Sequence, residues 1–158
     1  MYAVRDALEI EIFQLVDISR RVLKESPTYT HMSYDEEKSA NYIYGAIAKQ
    51  PGWFLRVIID KSNGRVVGGI LCYCETVLYG HDKQAYDVTI MIDEEHRGKC
   101  IKQLVQIIEE YKEWALAQGA KVIKMGVSSG LNIEKASMFF EKLGFKQIGA
   151  MHAVVVGD

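Results

Sequence analysis

The run Ile90-Met91-Ile92-Asp93-Glu94-Glu95-His96-Arg97-Gly98-Lys99-Cys100-Ile101-Lys102-Gln103-Leu104 narrows the choice of fold more than any other. An apolar, strand-like stretch enters a short basic turn with one glycine and passes directly into a helical pattern. That pattern runs from about Cys100 to Gln118, with Leu104, Val105, Ile108, Tyr111, Trp114 and Ala115 on one side and Gly119 to end it. A strand feeding straight into a helix is the unit of α/β folds. The turn also has a chemistry. The first N–H groups of a helix lack internal partners, and the macrodipole makes that end positive, so an anion is favoured there. Arg97, Lys99 and Lys102 add cations where the dipole disfavours them. Charge alone leaves two explanations open, a bound phosphate or a solvated basic turn.

The rest of the chain is patterned to match. Glu9 to Lys24 places Ile12, Leu15, Val16, Ser19, Val22 and Leu23 at helical spacing, and Pro27 pushes Ser26 out of helical geometry. Glu25 to Tyr34 is a polar and aromatic loop, after which Ser33 or Asp35 caps a second helix to about Gln50, stopped by Pro51-Gly52. Trp53 to Asp60 and Arg65 to Tyr79 are apolar, β-branched runs around Lys61-Ser62-Asn63-Gly64, a hairpin signal because Asn and Gly both tolerate positive φ. Gly80 to Lys83 turns the chain into a third strand, Gln84 to Asp93. Val122 to Val127 predicts a short buried strand, broken by Ser128-Ser129-Gly130. Asn132 to Leu143 predicts a final helix closed by Gly144, and Phe145 to Val156 a last β segment of one strand or two. This order predicts a single α/β domain over residues 1–158, its sheet covered by helices on both faces.

Composition excludes several classes. A net charge of -2 argues against whole-surface attraction to nucleic acid or anionic lipid. No stretch approaches the ~20 apolar residues of a membrane span, and the N-terminus lacks a signal-peptide core. Cys72 and Cys74, two apart in a strand, suit neither a zinc knuckle nor a redox pair, and Cys100 stands alone. Reduced thiols, no metal and a cytoplasmic location are expected.

Two regions carry a family resemblance. His96-Arg97-Gly98-Lys99-Cys100-Ile101 is similar to R-G-x-G-I-G, the pattern that opens the cofactor-binding helix of the GNAT acetyltransferases. Lys121 to Val127 followed by Ala136 to Phe145 resembles that family's fifth strand and its A-x-x-x-Y-E-K-L-G-F helix and strand. Glu141-Lys142-Leu143-Gly144-Phe145 matches the end of that pattern letter for letter. A short first strand, two helices and the hairpin with Val66-Val67-Gly68 are similar too, so the likeness covers almost the whole chain. It implies the GNAT acyl-CoA N-acyltransferase fold, a mixed central sheet of six to seven strands flanked by about four helices.

The resemblance also implies a function. A GNAT enzyme moves an acetyl group from acetyl-CoA directly to a primary amine, here a small molecule or a protein amine. The third long strand and the family's fifth strand would splay apart around the pantetheine arm, with Ile90, Met91 and Ile92 facing its amides. N–H groups from Gly98 through Lys99, Cys100 and Ile101 to Lys102 would hold the pyrophosphate, with Arg97 beside them and Asn132 further along. The acceptor would enter from the opposite side, lined by Tyr29, His31, Tyr34, Glu75 and Tyr79, with His81 nearby. Asp87 is the candidate general base, because the attacking nitrogen must be neutral.

The chain departs from the family pattern at three positions. Cys100 and Lys102 replace glycines that let backbone approach phosphate. Phe140 replaces the tyrosine that protonates the departing thiolate, leaving Ser137, one turn earlier, as a candidate relay. A thiolate with a pKa near 8.5 also leaves without a dedicated acid. The alternative function is a degenerate GNAT fold kept for binding or regulation. The terminal Val154-Val155-Val156 suits pairing across a homodimer.

Overall fold

The elements follow in the order β1 (Tyr2–Arg5), α1 (Ile12–Glu25), α2 (Glu36–Ile47), β2 (Trp53–Asp60), β3 (Arg65–Thr76), β4 (Lys83–Ile92), α3 (Ile101–Ala117), β5 (Ala120–Ile123) and α4 (Ile133–Lys142). They are seen in a computed structural model that describes residues 1–127, 129–130 and 132–157. Short 3-10 turns at Glu9–Glu11, Tyr29–His31 and Glu94–His96 lead into α1, α2 and α3.

The strands form one mixed sheet in the order β1-β2-β3-β4-β5. β1 to β4 are antiparallel neighbours, and β5 adds parallel to β4. Because side chains alternate across a strand, neighbouring residues feed two separate cores. Ile58, Ile70 and Cys72 pack with Ile107, Ile108 and Tyr111 of α3 and Phe140 of α4. Val57, Leu71 and Met91 pack on the other face with Leu15, Val16 and Ile18 of α1 and Ile43 of α2. Each such fully buried side chain contributes about 1.5–3 kcal/mol, which makes the central strands the stable part of the molecule.

Local signals set most boundaries. Asp35 caps α2, its carboxylate accepting from Lys38 N–H at 2.9 Å. In the β2–β3 hairpin only Gly64 is left-handed, at φ +72°. Asp60 C=O accepts from Gly64 N–H at 2.8 Å, and Asn63 instead uses its side chain to accept from Arg65 N–H at 2.9 Å. The hairpin is as expected, although its turn does not use positive φ at both residues.

Two expectations are corrected. β3 stops at Thr76 and leaves Tyr79 in the following turn. The sheet has five strands among the described residues, because the predicted β segment from Phe145 to Val156 does not form. Strand propensity is realised only where an edge and an apolar face are available. Here Ile148, Met151, Val154 and Val156 are about four-fifths exposed or more, with no face to cover them.

Candidate active site at the open edge of β4

β4 is bonded differently on its two sides. It pairs with β3 from Lys83 to Ile92, but with β5 only at Lys83, Gln84 and Ala85. The last backbone link across the second edge is Lys124 N–H donating to Ala85 C=O at 2.8 Å. Two residues further on, Gly126 N–H donates to the Asp87 carboxylate at 3.0 Å. A side chain stands there in place of a ladder partner, so the strands part. Tyr111 of α3 holds the departing segment, its buried hydroxyl donating to Lys124 C=O at 3.0 Å. Beyond Ala85, the backbone groups on this edge of β4 have no strand partner among the described residues.

A β-bulge sits at the same place. Leu71 pairs with Thr89 and Cys72 with Asp87, so Val88 has no counterpart on β3. The extra residue bends the strand and re-aims its neighbours, a device common beside active sites.

The parting opens a cavity of about 580 Å³ that reaches both faces of the sheet. Leu104 and Ile108 of α3 and Ala136, Phe139 and Phe140 of α4 line one side. Ser19, Val22 and Leu23 of α1, Tyr29, Tyr34, and Ser39, Tyr42 and Ile43 of α2 line the other. Asp87 stands between, the one charged side chain lining the cavity among the described residues. Burial pushes its carboxyl up from 3.8 to about 6, against the opposing effect of the hydrogen bonds that it accepts.

At the α3 N-terminus, Gly98 is left-handed at φ +76°, with open space where a Cβ would project. Cys100 is the N-cap residue and gives no side-chain cap. Its thiol is turned inward, 1% exposed, with Sγ 3.5 Å from His96 C=O. The replacement of glycine here therefore leaves the outer face of the turn clear. Lys99 and Lys102 are exposed and have no ion-pair partner among the described residues. Arg97 differs. Its Nε donates to Ile92 C=O at 3.1 Å, and both terminal nitrogens bond the carboxylate of Glu25, Nη2 to Oε1 at 2.9 Å.

Glu25 ends α1 and leads into the loop over the cavity. That loop is tied across the site, with Ser26, 1% exposed, donating to Ser129 C=O at 2.5 Å and accepting from Tyr29 N–H at 3.1 Å. Gly130 lies so close to Pro27 that a Cβ on it would meet the proline ring at 3.1 Å.

The structure brings Asp87, Ile90, Met91, Phe140, Tyr29 and Tyr34 to one cavity. Ile92 is buried beside it, and Gly98, Lys99, Cys100, Ile101 and Lys102 form the turn at the start of α3. Asn132 begins α4, exposed and left-handed at φ 47°. Ser137 is on α4 but does not line the cavity, and Phe140 has a ring but no proton to give. His31, Glu75, Tyr79 and His81 lie outside the cavity lining, with Tyr79 92% exposed.

Sequence reasoning overlooked Ser19, Ser39, Tyr42 and Val88. Ser19 had a readable signal, a hydroxyl at an apolar helical position. The Val88 bulge had none. All three cysteines are free and buried, and burial raises each thiol above its ordinary 9.0. None has the lowered pKa of a nucleophilic thiolate.

No curated protein sequence matches the chain. Among solved structures, it is similar to an aminoglycoside acetyltransferase from an uncultured soil metagenomic sample (TM-score 0.66, 19% identity, 99% of each chain covered). A glucosamine-6-phosphate N-acetyltransferase from Arabidopsis thaliana gives a TM-score of 0.71 at 13% identity, again over 99% of each chain. A transcriptional regulator from Bacillus halodurans gives 0.70 at 20% identity, over 99% of this chain and 100% of that one. At such identity the likeness establishes the fold alone. The model of the acetyltransferase (GNAT) family matches residues 16–145, and the chain belongs to that family.

Proposed function

We propose that the protein transfers the acetyl group of acetyl-CoA directly to a primary amine. The observation that carries this reading is Asp87, a carboxylate with a raised pKa at the point where β4 and β5 part. From there the cavity leads to α3 on one side and to the loop before α2 on the other.

The residues present fit acetyl-CoA. The left-handed Gly98, the uncapped start of α3 and the exposed Lys99 and Lys102 suit a pyrophosphate. The unpaired edge of β4 around Ile90 suits the amides of a pantetheine arm. Lys102 is a point charge there and needs no close backbone approach to act.

In the transfer, the amine nitrogen attacks the thioester carbonyl carbon and the C–S bond breaks, its electron pair leaving on sulfur. The proton lost by nitrogen passes to the Asp87 carboxylate, directly or through one water. With a pKa of about 6, Asp87 is ionised at neutral pH and close enough to it to act as a base. The thiolate leaves without a tyrosine at Phe140 because its own pKa is near 8.5. The raised thiol pKa values of Cys72, Cys74 and Cys100 favour direct transfer over an acyl-cysteine intermediate.

Acetyl-CoA is expected to raise the melting temperature, since a ligand selective for the native state stabilises it. Thiol release with a panel of amines then reads turnover. No thermal shift at millimolar acetyl-CoA would overturn the proposal in favour of a fold kept without catalysis.

A further inference from the structure

The acceptor side of the cavity carries information about the amine. It is lined by hydroxyls and aromatic rings, Ser19, Tyr29, Tyr34, Ser39 and Tyr42, among aliphatic side chains of α1 and α2. Tyr34 donates its hydroxyl hydrogen to Val16 C=O at 3.2 Å, so its polar tip is already engaged and it presents a ring. Tyr42 leans on Trp53 with ring centroids 5.7 Å apart, which fixes a second aromatic wall. Asp87 supplies the one negative charge lining the cavity among the described residues.

We infer that the acceptor is a small monoamine with an aromatic or alkyl body, held by tyrosines of the α1–α2 side with its nitrogen at Asp87. This rests on the acyl-transfer reading above. One carboxylate balances one ammonium. A polycation such as a polyamine or an aminoglycoside would bring further ammonium groups into a wall with no carboxylate among its described residues, losing hydration with nothing in return. An aromatic monoamine instead buries its body against rings and leaves a single charge to be matched. Discrimination therefore comes from rejecting surplus charge as much as from attraction.

The experiment compares thiol release from acetyl-CoA with phenethylamine, hexylamine, spermidine, an aminoglycoside and an Nα-blocked lysine peptide. The monoamines are expected to exceed spermidine and the aminoglycoside by about ten-fold or more in kcat/KM. Ser39→Asp adds a second carboxylate near the N-terminus of α2, where the helix dipole tolerates it, and should narrow that gap by lowering KM for spermidine. Tyr42→Ala should raise KM for phenethylamine more than for hexylamine, with kcat little changed. Preference for a polycation or for the peptide would overturn the inference. If acetyl-CoA shifts the melting temperature but no amine turns over, calorimetry with each amine in the presence of CoA decides. Phenethylamine binding would then keep the acceptor class while transfer fails, and its absence would sink the acceptor class.

Discussion

The two edges of β4 show how one strand can serve stability and chemistry at once. Its β3 edge is paired from Lys83 to Ile92 apart from the Val88 bulge, and Gly68 of β3 lies so close that a Cβ on it would meet Met91 C=O at 2.6 Å. Its β5 edge is paired for three residues, then gives way to a carboxylate and a cavity. Substitutions on the closed edge should therefore cost stability, and substitutions on the open edge should cost function and even add stability.

The largest expected effect is at Asp87. Asp87→Asn keeps an oxygen for Gly126 N–H but removes the base, and should lower kcat by about 10²–10⁴ while acetyl-CoA still raises the melting temperature. The same change should stabilise the protein. The folded-state carboxyl, at about 6, holds its proton more tightly than the unfolded one, at 3.8. Stability therefore falls as pH rises through that window, and ionised Asp87 costs about 1–3 kcal/mol at pH 7 to 8. Thermal melts of the two proteins should differ at pH 7.5 and converge below pH 4. In the unsubstituted protein, kcat for the proposed transfer should fall as pH drops through about 6. A variant that is slow but no more stable at pH 7.5 would mean that the carboxylate is not strained by burial.

The closed edge gives the converse. Gly68→Ala places a Cβ 2.6 Å from Met91 C=O and 3.2 Å from Ile92 Cα, contacts with backbone that cannot swing away. Overpacking of this kind should destabilise by about 1–3 kcal/mol, read by urea denaturation. Residual native protein should keep its affinity for acetyl-CoA. A weakened affinity at unchanged stability would show that the two edges are mechanically coupled.

The same division governs how much was legible in the sequence. Strands, helices and their order follow from periodicity and from Gly64, Gly119 and Gly144, because local turn chemistry and apolar spacing act within a few residues. Asp87 was legible through the family resemblance, but its cause was not. The Val88 bulge and the Gly126 bond depend on which strands become neighbours, a tertiary fact with no local pattern. Tyr79 lies outside the cavity because β3 ends earlier than its composition suggests, and Glu75 because it pairs with Gln84, where β4 and β5 are still joined. The Phe145 to Val156 run reads as strand on propensity, yet propensity describes a fit to a surface that this segment does not meet. The basic turn points to Arg97 as a phosphate ligand, but nothing local points to the Glu25 that engages it, 72 residues away.

Lys99 and Lys102 at the outer turn should matter less than Asp87. Each substitution to Ala is expected to weaken acetyl-CoA by a few-fold, corresponding to about 0.3–1 kcal/mol, and the loss should shrink as salt rises. Isothermal titration at two ionic strengths tests this. A salt-independent loss would place the side chain in a buried contact instead of at a solvated phosphate.

The smallest effect expected lies where the two ends of the site meet, at Glu25 and Arg97. The pair is a third exposed, so its loss should change stability by no more than about 0–1 kcal/mol. Its bearing on ligand binding should be larger, because under the proposed function Glu25 and a pyrophosphate would compete for the same guanidinium. Glu25→Gln removes the competing charge and should tighten acetyl-CoA by roughly two- to five-fold, most clearly at low salt. Arg97→Ala should weaken it, and in that background Glu25→Gln should have no effect, closing a double-mutant cycle. The opposite result, weaker binding from Glu25→Gln alone, would mean that Glu25 holds Arg97 in its binding pose. Glu25 would then be a positioning residue that carries the order of the closed sheet out to the open edge.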